Sequence, residues 1–297
     1  MSYLKSPWIE ICSNEHASCS AAPTNPPFFP TTLIDVGATI DSPVTLINTC
    51  EVSGLLGKGS PYATLSHCWG KVNVIRTLKS NFAQHQRGIY LKNLPKTFQD
   101  AIRIVRALEV QYLWIDTLCI IQDDTDDWDK ESVCMAGIYS NSYVNLAATG
   151  APDSRSGCLI PRTVNVSVDK LVDTKSFLVH GSIHSSGPQT FIRPSFESIH
   201  HRYSTRNSLI RGLTDDKIAP LLTRAWVFQE RQLAPRTVHF HSSEMIMECK
   251  SGLRCECTGL EERHKILTRK SFTPSKTVDH EELLLLWYEI VDEYSTR

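Results

Sequence analysis

Tyr112–Asp124, YLWIDTLCIIQDD, decides the fold. The stretch opens apolar and ends in acid. Val110–Ile115 is rich in β-formers, and an amphipathic helical pattern precedes it. That combination predicts a buried strand of a parallel sheet. In open α/β sheets, ligands bind just beyond the carboxyl ends of such strands. Asp116, Cys119, Gln122, Asp123 and Asp124 fall there. The competing reading is an N-cap and turn cluster that opens the next helix.

Working towards the N-terminus, Pro95–Leu108 predicts a helix. Thr97 and Asp100 have the T-x-x-D spacing of a capping box. Phe98, Ala101, Ile102, Val105 and Leu108 share one apolar face. Before the helix, Tyr62–Ser66 (YATLS) reads as a strand that runs into His67-Cys68-Trp69-Gly70. Strand, helix and strand make a βαβ unit. His67 and Cys68 are adjacent, so they point to opposite sides of an extended chain. Each would need a partner from another segment to act in nucleophilic catalysis; the alternative for either is packing at a tight turn.

Working towards the C-terminus, Asp126–Tyr139 predicts a second helix. Asp126, Asp127 and Asp129 suit its positive end, and Trp128, Met135, Ile138 and Tyr139 suit a buried stripe. Tyr143–Ala148 (YVNLAA) reads as the next strand. The β-α-β-α-β order implies an α/β fold, an open and mostly parallel sheet flanked by helices.

Leu221–Arg231 (LLTRAWVFQER) is the second informative stretch. Thr223 is placed to cap a helix from Arg224. Trp226 and Glu230 lie four apart on one face of that helix. A carboxyl held against an indole is partly desolvated, which raises its pKa and suits acid/base chemistry. The competing reading is a surface acid paired with Arg224 or Arg231. Val238–Phe240 and Met245–Glu248 then read as a hairpin.

The flanks are less regular. Trp8, Cys12, His16 and Cys19 contain C-x3-H-x2-C, and three soft ligands this close could hold zinc if Cys249, Cys255 or Cys257 supplied a fourth. A buried Cys/His cluster anchoring an arm is the alternative. Pro23–Pro30 reads as a connector, Thr32–Val36 and Val44–Ile47 as short strands, and Ser53–Ser60 as a Gly-rich loop without a phosphate-loop pattern. Residues 151–205 read as an irregular or β insertion with strands at Phe177–Val179 and Thr190–Ile192. Residues 258–277 read as a polar connector and Val278–Tyr294 as a final helix. The expected organisation is an arm at 1–60, a core at 61–250 and a connector plus helix at 251–297. The abrupt stop after that helix fits an N-terminal piece of a longer protein.

Composition narrows the class. The chain has 297 residues with 31 basic and 32 acidic side chains, a net charge of −1. This balance argues against a nucleic-acid binder. No apolar run reaches the length of a membrane span, and MSYLKSPW lacks the apolar core of a signal peptide. A cytoplasmic protein with mostly reduced thiols among its ten cysteines is expected.

YATLSHCWG (Tyr62–Gly70), LPKTFQDAIRIVRALEVQYLWIDTLCIIQDDTDDW (Leu94–Trp128) through IYSNSYVNLAA (Ile138–Ala148), and LLTRAWVFQERQLAPRTVHF (Leu221–Phe240) together resemble the fungal heterokaryon-incompatibility (HET) domain. The opening Trp8, Cys12, His16 and Cys19, the TLIDV strand and the closing WYEIVDEYSTR resemble the family too. His67 stands where many members carry Tyr. The resemblance implies an effector of non-self recognition that triggers programmed cell death when unlike hyphae fuse, through protein partners and homo-oligomers. HET domains have been likened to TIR domains, which have a flavodoxin-like core. Some TIR domains hydrolyse NAD with a glutamate four residues after a helical tryptophan, the spacing of Trp226 and Glu230. On that likeness Glu230 would be the catalytic carboxylate and Asp116 would shape the pocket. Trp226, Trp69, Cys68, Cys119 and Asp123 would then line the substrate site, and Val227 stands where TIR enzymes often carry Cys. Two functions stand side by side, a non-catalytic signalling module and an NAD glycohydrolase. A small-molecule enzyme using Cys68, His67 or Cys119 is a third.

Overall fold

The structure is a computed structural model. It describes residues 7–19, 28–39, 41–51, 60–71, 74–160, 219–242, 244–256, 258 and 260, and the backbone of 177–180 and 190–192. Eight strands form one sheet: β1 (Thr32–Asp35), β2 (Thr45–Asn48), β3 (Tyr62–Ser66), β4 (Tyr112–Trp114), β5 (Val144–Ala147), β8 (Arg236–Phe240), β9 (Met245–Cys249) and β10 (Gly252–Cys255). Two more, β6 (Phe177–His180) and β7 (Thr190–Ile192), pair antiparallel by themselves. The described α-helices are α1 (Pro7–Glu15), α2 (Phe82–Arg87), α3 (Lys96–Ala107), the single turn α4 (Asp116–Cys119), α5 (Thr125–Ser140) and α6 (Ala225–Leu233).

The sheet order is β10-β9-β8-β5-β3-β4-β1-β2. The pairs β4–β3, β3–β5 and β5–β8 are parallel. Both edges are antiparallel, through β4–β1–β2 on one side and β8–β9–β10 on the other. The sheet is therefore mixed, and the expected parallel character belongs to its four central strands. The β8–β9–β10 edge runs antiparallel because its short connections, 241–244 and 250–251, can only reverse the chain. Taken in chain order, the parallel strands are arranged 2-1-3-4, the beginning of the flavodoxin-like order. The switch point of that order lies between β3 and β5. Helices α5 and α6 follow successive steps in one direction and pack against each other, as right-handed crossovers require.

Burial explains the strands. All of β3 and β5 is buried, the signature of strands covered on both faces. Tyr62 drives its hydroxyl to the Ile138 carbonyl at 2.6 Å, locking β3 to the end of α5. Trp114 packs edge-on against Tyr139 at 5.8 Å. β4 ends where Ile115 accepts the Cys119 amide and the chain turns into α4.

Several local expectations give way to longer-range partners. The capping box at Thr97 and Asp100 does not form, because the N-cap of α3 is Pro95. Thr97 instead takes the Gly157 amide, and Asp100 takes the amides of Cys158 and Leu159. Thr223 does not cap α6, since its hydroxyl donates to the Pro220 carbonyl. Trp128 is half-exposed, and Glu131 is buried on α5 in its place. The Gly-rich loop up to Gly59, the connector before Phe28, most of the insertion, Cys257 and the Val278–Tyr294 helix lie outside the described residues.

Candidate functional site

Ser66 closes β3 as the last of a fully buried run. Its hydroxyl faces β5, where Asn145 Nδ2 donates to Ser66 Oγ at 3.0 Å and Thr64 donates to Asn145 Oδ1 at 3.0 Å. This buried polar seam marks the switch point. Polar atoms between two central strands are tolerated only when they satisfy one another.

Glu230 reaches the same point from α6. It is 8% exposed, and its Oε2 has no hydrogen-bond partner among the described residues. Burial pushes its carboxyl up to about 7, assisted by the negative charge of Asp116. The Ser66 and Tyr139 hydroxyls and the Arg224 guanidinium oppose that rise. The desolvation expected for Glu230 is present, but its source differs. Trp226 is 53% exposed, so the shielding comes from the sheet end and α5 rather than from the indole. The surface-acid reading also fails, because Arg231 pairs with Glu248 at 2.6 and 3.1 Å and Arg224 donates to the His67 carbonyl.

Asp116 stands at the neighbouring strand end. Trp69 Nε1 donates to its Oδ2 at 3.0 Å, and His67 Nδ1 lies 3.8 Å from its Oδ1. His67 is buried edge-on against Phe98 at 4.9 Å. Burial lowers its pKa, and the Asp116 charge only partly restores it. Gly70 completes the turn at φ +72, where an added Cβ would meet Asp153 Cβ at 2.4 Å. Left-handed backbone and that close approach both call for glycine.

The predicted site residues therefore separate. Glu230, Asp116, Trp69 and Cys68 gather around the ends of β3 and β4. Cys68 packs with Ala147, Leu221 and Val227, and burial pushes its thiol up. Cys119 is turned inward, where its sulfur accepts the Ile115 amide at 3.5 Å and burial holds the thiol far from ionising. Asp123 is used by the Lys79 amide at 2.8 Å, and Asp124 caps α5 by accepting from Asp126. For those two acids the turn-and-cap reading is the one observed. Ser66, Tyr139 and Asn145 join the site without having been singled out, and Arg224, named only as a pairing partner for Glu230, joins them. Asn145 carried a signal, as the single polar side chain inside YVNLAA; Tyr139 carried none beyond its place in a buried stripe.

Cys12, His16, Cys19 and Cys249 come together elsewhere, with their ligand atoms all within 4.8 Å of one another. Cys255 lies apart from them, and its sulfur accepts the Leu260 amide at 3.4 Å. Among the described residues no helix is long and apolar enough to cross a membrane.

No curated protein and no solved structure matches this chain. The family model described as "Heterokaryon incompatibility protein (HET)" matches residues 62–230. That span is more than half of the chain and runs from the first residue of β3 to the buried carboxyl on α6. The chain belongs to the heterokaryon incompatibility (HET) family.

Proposed function

We propose that this chain is a cell-death effector of heterokaryon incompatibility and that it acts as an enzyme, cleaving the nicotinamide–ribose bond of NAD at Glu230. Membership of the HET family carries a role related to heterokaryon incompatibility. One observation carries the chemistry. A buried carboxyl poised at about 7 sits at the carboxyl end of β3, beside the switch point, with Asp116 as its acidic neighbour. Perturbed carboxyls at strand ends are where catalytic acids and bases concentrate.

The reaction asks little of the protein. As the ribose–nitrogen bond breaks, its electron pair leaves with neutral nicotinamide and positive charge develops on the ribose. Ionised Glu230 would stabilise that charge. Water then adds at the anomeric carbon, and the proton it loses passes to Glu230 before reaching solvent. Ser66 and Tyr139 would orient the carboxyl. A dinucleotide would reach Glu230 only if the α6 edge yields, since the side chain is 8% exposed.

A second reading, a death-signalling module that works by recruiting partners, is favoured by a different observation. Trp128 and Trp226 are 49% and 53% exposed on α5 and α6, two helices that pack together. Aromatic side chains are enriched at protein interfaces.

Nicotinamide release by purified protein at high concentration, wild type beside Glu230→Gln, separates the readings. Release that disappears in a folded variant supports the enzyme. Death on expression that persists in Glu230→Gln, with no release from folded wild type, overturns it in favour of the recruiting module.

A further inference from the structure

Cys12 and His16 are four apart at the end of α1, which puts them on one face. The chain then tightens into a 3-10 turn that carries Cys19. Cys249 ends β9, just before the turn to β10. His16 Nδ1 and Cys249 Sγ are 3.5 Å apart. Tetrahedral zinc with bonds of about 2.3 Å to sulfur and about 2.0 Å to nitrogen places its ligand atoms about 3.3–3.8 Å apart. The three cysteines are buried and His16 is partly buried.

We propose that Cys12, His16, Cys19 and Cys249 form a closed, structural zinc site that clips the N-terminal segment to the β9–β10 edge.

The surroundings are those of a thiolate–metal centre. Arg236, itself buried, donates from Nε to Cys12 Sγ at 3.2 Å and from Nη2 to the Cys19 carbonyl at 3.3 Å. Among the described residues no carboxylate pairs with this guanidinium. Three thiolates and one imidazole around Zn2+ carry a net charge of −1, which supplies the counter-charge a buried cation requires. Ser251 and Ser18 place hydroxyls 3.7 and 3.9 Å from Cys19 Sγ, and they bond each other at 2.8 Å. The Ser251 amide donates to the Cys249 sulfur. Donors directed at the sulfurs orient thiolate ligands and moderate their charge. Four protein ligands leave no open position, so the centre serves folding rather than catalysis. Its effect is topological, because it joins positions 12–19 to 249 across most of the chain. Closing so long a loop through the metal removes freedom chiefly from the unfolded state.

The test is metal content of the full chain after gel filtration, with bound zinc titrated against a thiol-reactive mercurial. One zinc per chain, released by the mercurial, is expected. Cys249→Ser should retain less than a tenth of it, while Cys50→Ser, an exposed cysteine, should retain all. Because Cys249→Ser could misfold, cobalt exchanged into wild type provides an independent readout. Tetrahedral d–d bands with sulfur-to-cobalt charge transfer are expected. Metal-free wild type without those bands overturns the proposal. So does full zinc in folded Cys249→Ser, or a Cys12–Cys19 disulfide in protein purified without oxidant.

Discussion

The indole of Trp69 donates to the Asp116 carboxylate at 3.0 Å across 47 positions of sequence. The bond ties the loop after β3 to the turn after β4, the two loops at the carboxyl ends of neighbouring parallel strands. A hydrogen bond to a charged group contributes roughly 1.5–3 kcal/mol where it is shielded. Asp116 is part-exposed, with 28% of its side chain accessible, so a coupling of about 1 kcal/mol is expected after allowance for solvent screening. Trp69→Phe, Asp116→Asn and the double variant, unfolded in urea, measure it. Strictly additive losses would show that the two loops are not coupled through this bond.

Glu230 predicts a pH dependence with a definite sign. Its carboxyl titrates at about 7 in the folded chain, against an ordinary value of 4.5. Below 4.5 both states are protonated and the group contributes no difference. Between the two values only the folded state keeps the proton, so stability falls as pH rises through this window. Each pKa unit is worth about 1.4 kcal/mol, and the whole penalty above neutrality is on the order of 3 kcal/mol. Glu230→Gln removes it. The variant should gain stability over wild type from pH 5 to pH 8, as measured by denaturant unfolding at about those values. His67 works in the opposite sense, since burial lowers its pKa and makes acid destabilising. Comparing wild type with Glu230→Gln at each pH cancels that contribution. A constant difference across the window would mean that Glu230 is ionised throughout.

The central strands and their helices could be read from sequence because each is a local pattern. Tyr62–Ser66, Val144–Ala147 and the apolar face of α3 announce themselves within a dozen residues. What resisted reading depends on distance. Thr97 and Asp100 match a capping spacing, yet their partners lie at 157–159. Trp128 fits a helical stripe by count, yet that end of α5 leaves it half-exposed and buries Glu131 beside Thr31. Glu230 stood out through its spacing from Trp226, but its environment is made by Ser66, Tyr139 and Asp116, which no local window connects. The Cys12, His16 and Cys19 spacing was visible, whereas choosing Cys249 over Cys255 required the register of β9 against β10.

Asp100 predicts a large loss from a small change. It is fully buried on α3 and takes the Cys158 and Leu159 amides at 3.2 Å each, with Lys96 and Arg103 beside it. Asp100→Asn keeps the shape and one oxygen to take both amides, but its NH2 group then confronts the Lys96 and Arg103 cations. It also removes the counter-charge of those two cations. Weakening the charge-assisted bonds to the two amides costs about 1.5–3 kcal/mol, and the two cations, 45% and 35% exposed, add little because solvent screens them. The 153–159 loop should detach first, so hydrogen exchange at Gly157–Leu159 should accelerate before global unfolding. Unchanged protection there would contradict the role assigned to Asp100.

Arg231 and Glu248 make the last prediction, and it bears on the site next door. Arg231 is 3% exposed at its side chain and Glu248 is 0% exposed, and they meet through two hydrogen bonds. His239 Nε2 lies 3.5 Å from the same carboxylate, and its Nδ1 is 3.0 Å from the Thr149 hydroxyl. The pair fixes α6 to β9 one residue from Glu230, so it also sets the angle at which that carboxyl enters the strand ends. Arg231→Met fills similar volume but leaves Glu248 buried without its cation, which costs about 3–5 kcal/mol. Glu248 would then take up a proton, and the loss should shrink as pH falls because only the ionised form is penalised. The Arg231→Met, Glu248→Leu double variant removes both charges and should recover much of the loss, since a buried pair adds little beyond well-packed apolar groups. Urea midpoints for the three variants at acid and neutral pH check both claims. If the double variant is as damaged as the sum of the singles, α6 is held by something other than this pair. Nicotinamide release, if wild type shows it, should fall in Arg231→Met even where the protein stays folded, because Glu230 would lose its alignment with Ser66 and Tyr139.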